Sequence, residues 1–261
     1  MDYLNKGKQQ KNSSIDLKKV EIAQINFIQN DEWVGQTMHL QSANIIANLG
    51  VFNDSLIQID QLVANKPFYT IQNKKGLRKT DPKTKAQISK IGELYFNNPN
   101  KVIIAKQIKI TQGKLWVEND FTKPTPQFDG YHIRLSEINA QINNASFIKD
   151  TIKANVQLST KERSGLHIQQ LKTQFRMTPT IMELNKLFIK TNKSILGPYY
   201  AMEYKDLVND FNDYIDKVTM KAHFINAQVA TDDIAFFAPE INNIHQKVNA
   251  SFKFKGTVGV L

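Results

Sequence analysis

A six-residue strand phrase recurs along this chain and limits what it can fold into more than any other feature. It reads VEIAQI at residues 20–25, IQIDQL at 57–62, IKITQG at 108–113 and LHIQQL at 166–171. A near-copy, IRLSEI, occupies 133–138 with Glu in the Gln place. The first and third positions are apolar, and residues two apart on a strand share one face. The next apolar residue comes three positions later, so the alternation changes phase. A β-bulge or twist point supplies such a change without turning the apolar set to the other face. The copies are unequally spaced, which excludes a fixed-period solenoid. The chain therefore reads as an assembly of similar strand units rather than one globular core around one active site.

The chain has 261 residues, enough for one large or two ordinary domains. It is 41% apolar with 11 Gly and 8 Pro, and its mean hydropathy is −0.41. This suits polar-faced sheets better than a thick buried core. With no cysteine, disulfides and Cys-based metal or thiol chemistry are excluded. The net charge of +10 would suit an anionic partner, but the lysines are scattered. The two densest runs, 6–11 and 74–90, read as solvated loops, and Lys on strand edges guards against sheet-to-sheet association. No nucleic-acid partner is expected. No segment is apolar enough to span a bilayer. Residues 1–14 are polar and lack a signal-peptide core, while the final FKFKGTVGVL reads as the opening of another strand unit. The chain is expected to be an internal section of a longer protein.

Three regions are expected. Residues 1–14 form a flexible lead-in. Residues 15–196 form a repetitive β region, with a polar variable loop or insertion at about 73–100. Residues 197–261 continue the β region, with short helices at about 206–217 and 232–242, the second capped by Thr231 or Asp232. Strands are expected to end near Ile110 and Phe224 and to restart near Lys114 and Asn226. Hairpins are expected around Asn143-Asn144 and at 177–180.

No catalytic pattern stands out: phosphate-binding, dinucleotide, zinc-protease and nucleophile-elbow motifs are all missing. His39, His132, His167, His223 and His245 are far apart in sequence and read as structural or surface residues. Asp31-Glu32 reads as a turn and Asp232-Asp233 as a helix start. Trp33, Trp116 and their aromatic neighbours lie at strand ends, where packing is the commoner role. The chain reads as non-enzymatic, with no cofactor. Its apolar strand face must be hidden by a second sheet, by helices, or by curling into a groove. Only two short helices are offered, so sandwich and groove both stand.

Five phrases carry a resemblance: DEWVGQTMHL (31–40), NKPFYTI (65–71), FDGYHIRLSEINAQINN (128–144), LSTKERSG (158–165) and TDDIAFFAPEI (231–241). In this order they resemble the translocation and assembly module TamB proteins of the Bacteroidetes type, within the AsmA-like group, over nearly the whole chain from about Ile15. The resemblance implies an elongated, curled antiparallel β-sheet whose apolar inner face forms a groove. It implies a periplasmic, inner-membrane-anchored scaffold, linked to outer-membrane protein assembly and phospholipid transfer. The implied partners are phospholipid acyl chains and, through segments not present here, outer-membrane assembly machinery; the implied anchor is a missing N-terminal helix. Val20, Ile22, Ile57, Ile59, Ile108, Ile110, Leu166 and Ile168 occupy the two apolar slots of the phrase and are the candidate groove-lining residues. The alternative is a β-sandwich that binds glycan or acts in adhesion, with Trp33 and Trp116 in contact with sugar.

Overall fold

A computed structural model describes residues 18–77, 101–206, 210 and 214–257. They form one curled, mixed but mostly antiparallel sheet of 13 strands. The first four strands are β1 (Lys19–Asp31), β2 (Gln36–Phe52), β3 (Leu56–Asn65) and β4 (Phe68–Asn73). Then come β5 (Val102–Asn119), β6 (Ile133–Ile148), β7 (Thr151–Glu162), β8 (His167–Thr178) and β9 (Ile181–Lys190). The sheet continues with β10 (Ile195–Leu196), β11 (Pro198–Glu203), β12 (Thr219–Ala230) and β13 (Lys247–Gly256). Neighbours follow chain order from β1 to β10, except that β3 and β4 lie end to end between β2 and β5. The chain breaks between them at Lys66-Pro67, where Lys66 has φ 50°.

The expected antiparallel meander is present, with one parallel exception. Both β3 and β4 run parallel to β5. Val102 opens β5 beside Leu56, at the end of the sheet opposite Asn73, which pairs with Asn119. Parallel neighbours need a long return connection. The chain between Asn73 and Val102 makes that return. Residues 78–100 themselves lie outside the described residues, as does the lead-in at 1–14.

The phase change in the recurring phrase is a bulge. Gln112 and Glu137, each at its fifth position, have φ of 53° and 52° and stand where the β5–β6 register shifts, whereas Gln24 has φ 52° with the β1–β2 register continuous across it. In the second copy the β2–β3 register slips from Asn48↔Gln61 to Leu49↔Ile59, which leaves Asp60 extra. In the fourth, the pairs Leu158↔Leu171 and Thr160↔Ile168 leave Gln169 and Gln170 opposite Ser159 alone. Such a residue bends the strand and raises its twist, and a series of them curls the sheet. Gly113 follows Gln112 in an apolar slot; a Cβ there would meet Ile110 Cγ2 at 3.0 Å, so glycine alone fits without displacement.

These bulges overturn three expected boundaries. β5 and β12 run unbroken through Gln112 and Asn226, and Asn226 has φ 50°. Asn143-Asn144 is not a hairpin; it lies inside β6, with Asn144 at φ 52°. The turn falls at Lys149 and Asp150, and the expected hairpin at 177–180 is present between β8 and β9.

Helix is scarce. Described helical pieces are α1 (Tyr214–Lys217), α2 (Thr231–Ile234) and a 3-10 turn at Pro239–Ile241. Much of the expected helix at 206–217 lies outside the described residues. The one expected at 232–242 is interrupted, because Pro239 cannot continue an α-helix. Neither Thr231 nor Asp232 caps it: Ala230 holds that position without a side-chain bond. Thr231 Oγ1 instead donates to the Ile244 carbonyl and accepts from Gln246 N at 2.9 Å.

An apolar face as candidate functional site

Pairing registers place side chains in rows across the sheet, and the bulges keep those rows apolar. One row runs Val20, Ala47, Leu62, Ile108, Ile142 and Val156. The next runs Ile22, Ile45, Ala64, Ile110, Ala140 and Leu158, then Leu171 and Ile189. A third, towards the β3 start, runs Ile57, Ile103, Phe147, Ile152 and Met177. Beyond the bulges a further row runs Phe27, Leu40, Tyr69, Leu115 and Leu135. It ends on buried Glu162.

The eight candidate residues fall on this face, but not in one line. Val20 shares a row with Ile108, and Ile22 with Ile110. Ile57 and Ile59 pair with Ile103 and Ala105, one segment away, because the β3 bulge follows them. Ile168 pairs with Thr160, and Leu166, just ahead of β8, is buried. Copies of the phrase are staggered along the strands. Their exposure differs too: Ile22 on the edge strand is 48% exposed, whereas Leu166 is 9%.

The sequence reading missed Ile142, Leu158, Phe175, Leu184 and Phe224, which lie on the same face. The signal was present in AQINNA (140–145), MELNKL (182–187) and AHFINA (222–227). These repeat the phrase with Asn144, Lys186 and Asn226 in the Gln place, at φ 52°, 49° and 50°. The invariant is a polar residue at the phase change, not glutamine. The deepest packing on this face lies at β8–β13, where Leu187, Ala222, Phe224 and Ala227 form a buried cluster flanked by Leu171, Leu184, Tyr200 and Phe254. Among the described residues no second sheet and no helix longer than one turn packs on the sheet, and Val218 is the largest side chain that is fully buried.

The opposite face is more polar, with Ile46, Val63 and Phe188 among its apolar members. Lys109, Gln141, Gln157 and Lys172 form a row across β5 to β8, all exposed. Trp116 lies there too, edge-on to Phe68 at 4.8 Å and under Arg134 at 4.8 Å, so it is a packing residue. Trp33, in the β1–β2 turn, is 60% exposed.

At one end of the sheet, loops close into a polar clasp. His132 is buried, with Nδ1 3.0 Å from Glu118 Oε2 and Nε2 2.9 Å from the Thr122 carbonyl. Arg163, after β7, donates to the carbonyls of His132 at 2.8 Å and Thr125 at 2.6 Å. Phe128 N donates to the Phe236 carbonyl at 3.0 Å, and its ring lies 5.1 Å from that of Phe237. The clasp thus ties the β5–β6 loop to the segment after β12. Burial pushes the Glu118 carboxyl up, but hydrogen bonds from Arg134 and His132 outweigh it and hold it below its ordinary value. Asp129 is lowered in the same way, burial being outweighed by the backbone N–H groups of Tyr131 and Thr125. Asp233, read as part of a helix start, is buried and accepts from Thr191 Oγ1 at 2.5 Å and Lys193 N at 3.1 Å.

Among the described residues no group of three His, Asp or Glu side chains is placed to hold a metal ion. No described helix is long and apolar enough to cross a membrane. Comparison of the sequence with protein-family models and with curated proteins finds no match.

Proposed function

We propose that the chain is a section of a non-enzymatic cell-envelope scaffold of the TamB/AsmA-like type, whose apolar sheet face accommodates the acyl chains of phospholipid in transit between membranes. The observation that carries the reading is the set of apolar rows, one of them running from β1 to β9 and adjoining the buried cluster on β9 and β12, with no second layer over them among the described residues. A sheet of this kind normally buries one face. Acyl chains suit it because they are long, flexible and need no directional bonds. Each CH₂ removed from water contributes about 0.8 kcal/mol, so affinity is spread over many side chains and no single one dominates. The polar face, with its exposed lysines, stays in water. Localisation to the periplasmic side of an envelope, and links to outer-membrane assembly, belong to this proposal through the resemblance alone.

The test is native mass spectrometry of the chain after incubation with phosphatidylethanolamine–phosphatidylglycerol vesicles. Phospholipid is expected on the wild type and on Lys109→Asn and Gln157→Asn, which alter the polar face. It is expected to be lost from a variant that carries Ile45→Asn, Ile110→Asn and Leu158→Asn together and keeps its β circular dichroism. A folded wild type that carries no lipid, or equal lipid on the polar-face variants and the triple variant, removes the proposal.

A further inference from the structure

Four of the chain's six methionines stand side by side. Met177 pairs with Met182 across β8 and β9. Met182 pairs with Met202 across β9 and β11, and Met202 pairs with Met220 across β11 and β12. The sequence spreads these residues over more than forty positions, and only the sheet register brings them into one row. They lie on the apolar face, in the same rank as Ile152, which pairs with Met177 on the other side. Beyond Met220 the row meets Gly256, which has no side chain. All four are half-buried.

Apolar packing alone does not select methionine four times in succession, when the equivalent row nearer β3 uses Ile57, Ile103, Phe147 and Ile152. What methionine adds is a soft thioether donor on a chain with three rotatable bonds. Thioethers select soft monovalent ions, above all Cu(I), over the harder divalent metals. The spacing agrees. Cross-strand neighbours hold their Cβ atoms about 4.5–5.5 Å apart. From that spacing, rotation about the three side-chain bonds can bring two neighbouring sulfurs onto one ion. A third thioether from the next strand reaches the same ion by rotation of its side chain. The low-polarity surround disfavours a dication, which would need carboxylate or imidazole ligands that this row does not supply.

We propose that Met177, Met182, Met202 and Met220 form a thioether ladder that binds Cu(I) on the apolar face of the sheet. Adjacent pairs offer overlapping positions, so an ion can step along the row. This inference is independent of the lipid reading and stands or falls without it.

The test uses the full chain under anaerobic conditions. Cu(I) affinity is measured by competition with a chromophoric Cu(I) chelator. Ag(I), a redox-inert soft cation, is titrated against chain labelled at the methionine ε-methyl carbons. The expected result is one tight Cu(I) equivalent, with Ag(I)-induced shifts of the four ladder methyls while Met38, on β2, stays in place. The Met182→Leu/Met202→Leu double variant is expected to lose at least about tenfold in Cu(I) affinity, since even indirect changes around a metal site cost ~10–100-fold. Leucine conserves volume and apolarity here, and Met177→Leu/Met220→Leu serves as a second pair should the first lower stability. Equal affinity in wild type and both double variants, no uptake by the folded wild type, or a Met38 shift as large as those of the ladder would overturn the proposal.

Discussion

The edge strand β1 and the β9–β12 region are built from the same phrase, yet they differ in burial by nearly an order of magnitude. On β1, Ile22 is 48% and Phe27 57% exposed. On β9 and β12, Leu187 is 6%, Phe224 7% and Ala227 1% exposed. Both regions place an apolar residue before a residue of positive φ and another after it. The phrase fixes which way a side chain points; the number of strands beside it fixes how much water it loses. β1 has β2 on one side only, whereas β9 lies between β8 and the β10–β11 pair. In a single-layer sheet, neighbouring strands supply most of the cover that a second layer gives elsewhere.

The largest expected effect sharpens this contrast. Leu187→Ala or Phe224→Ala should destabilise the chain by about 3–5 kcal/mol, as large-to-small changes in a packed cluster do. Ile22→Ala should cost less than about 1 kcal/mol. Urea denaturation of the three variants measures both, and equal losses would break the comparison.

Next comes the clasp. His132→Ala strips a buried hydrogen-bonding side chain from Glu118 and from the Thr122 carbonyl. The expected cost is ~2–3 kcal/mol. It should appear in hydrogen exchange as faster exchange across 120–132, while amides in β1 stay unchanged.

Smaller and opposite in sign are the bulge variants. A left-handed backbone at a non-glycine residue costs about 1–2 kcal/mol. Gln24→Gly, Gln112→Gly and Glu137→Gly should each therefore stabilise the fold by up to about 1 kcal/mol after the entropy of the unfolded glycine is set against it. Valine at the same positions should destabilise. Thermal melts of the pairs decide whether these residues are bulges in solution.

The smallest effect is pH dependence at the clasp. Folded-state values of Glu118 and Asp129 are lowered, so their contribution is fully present above their ordinary values of 4.5 and 3.8. It is lost as pH falls through the depressed values. Exchange of the 120–132 amides should rise on acidification below about pH 4.5 and stay flat from pH 6 to 8. The edge strand β1, whose Glu21 is ion-paired with exposed Lys19 at 2.9 Å, should respond less.

Local sequence determined much of this protein. The alternation of apolar residues, its phase changes and the shortage of helix signals gave a mainly β sheet with one apolar face, and they placed the eight candidate residues on that face. Side-chain direction on a strand is a local property, set by backbone period and by the bulge residue. Strand continuity was misread at Gln112, Asn144 and Asn226 because a phase break looks the same as a strand end until the neighbouring ladder is seen to continue. Polar residues other than glutamine at the bulge hid three further copies.

Pairing was decided only by the tertiary structure. The parallel contacts of β3 and β4 with β5, the meeting of loop 120–132 with Phe236 and Phe237, and the convergence of Met177, Met182, Met202 and Met220 all depend on register between distant segments. Register is a collective choice: each ladder is fixed by the ladders beside it, and the energy that selects it is shared across the whole sheet. No stretch of the chain carries that information alone. The sequence therefore specifies the face, and the assembled sheet specifies which residues stand next to one another on it.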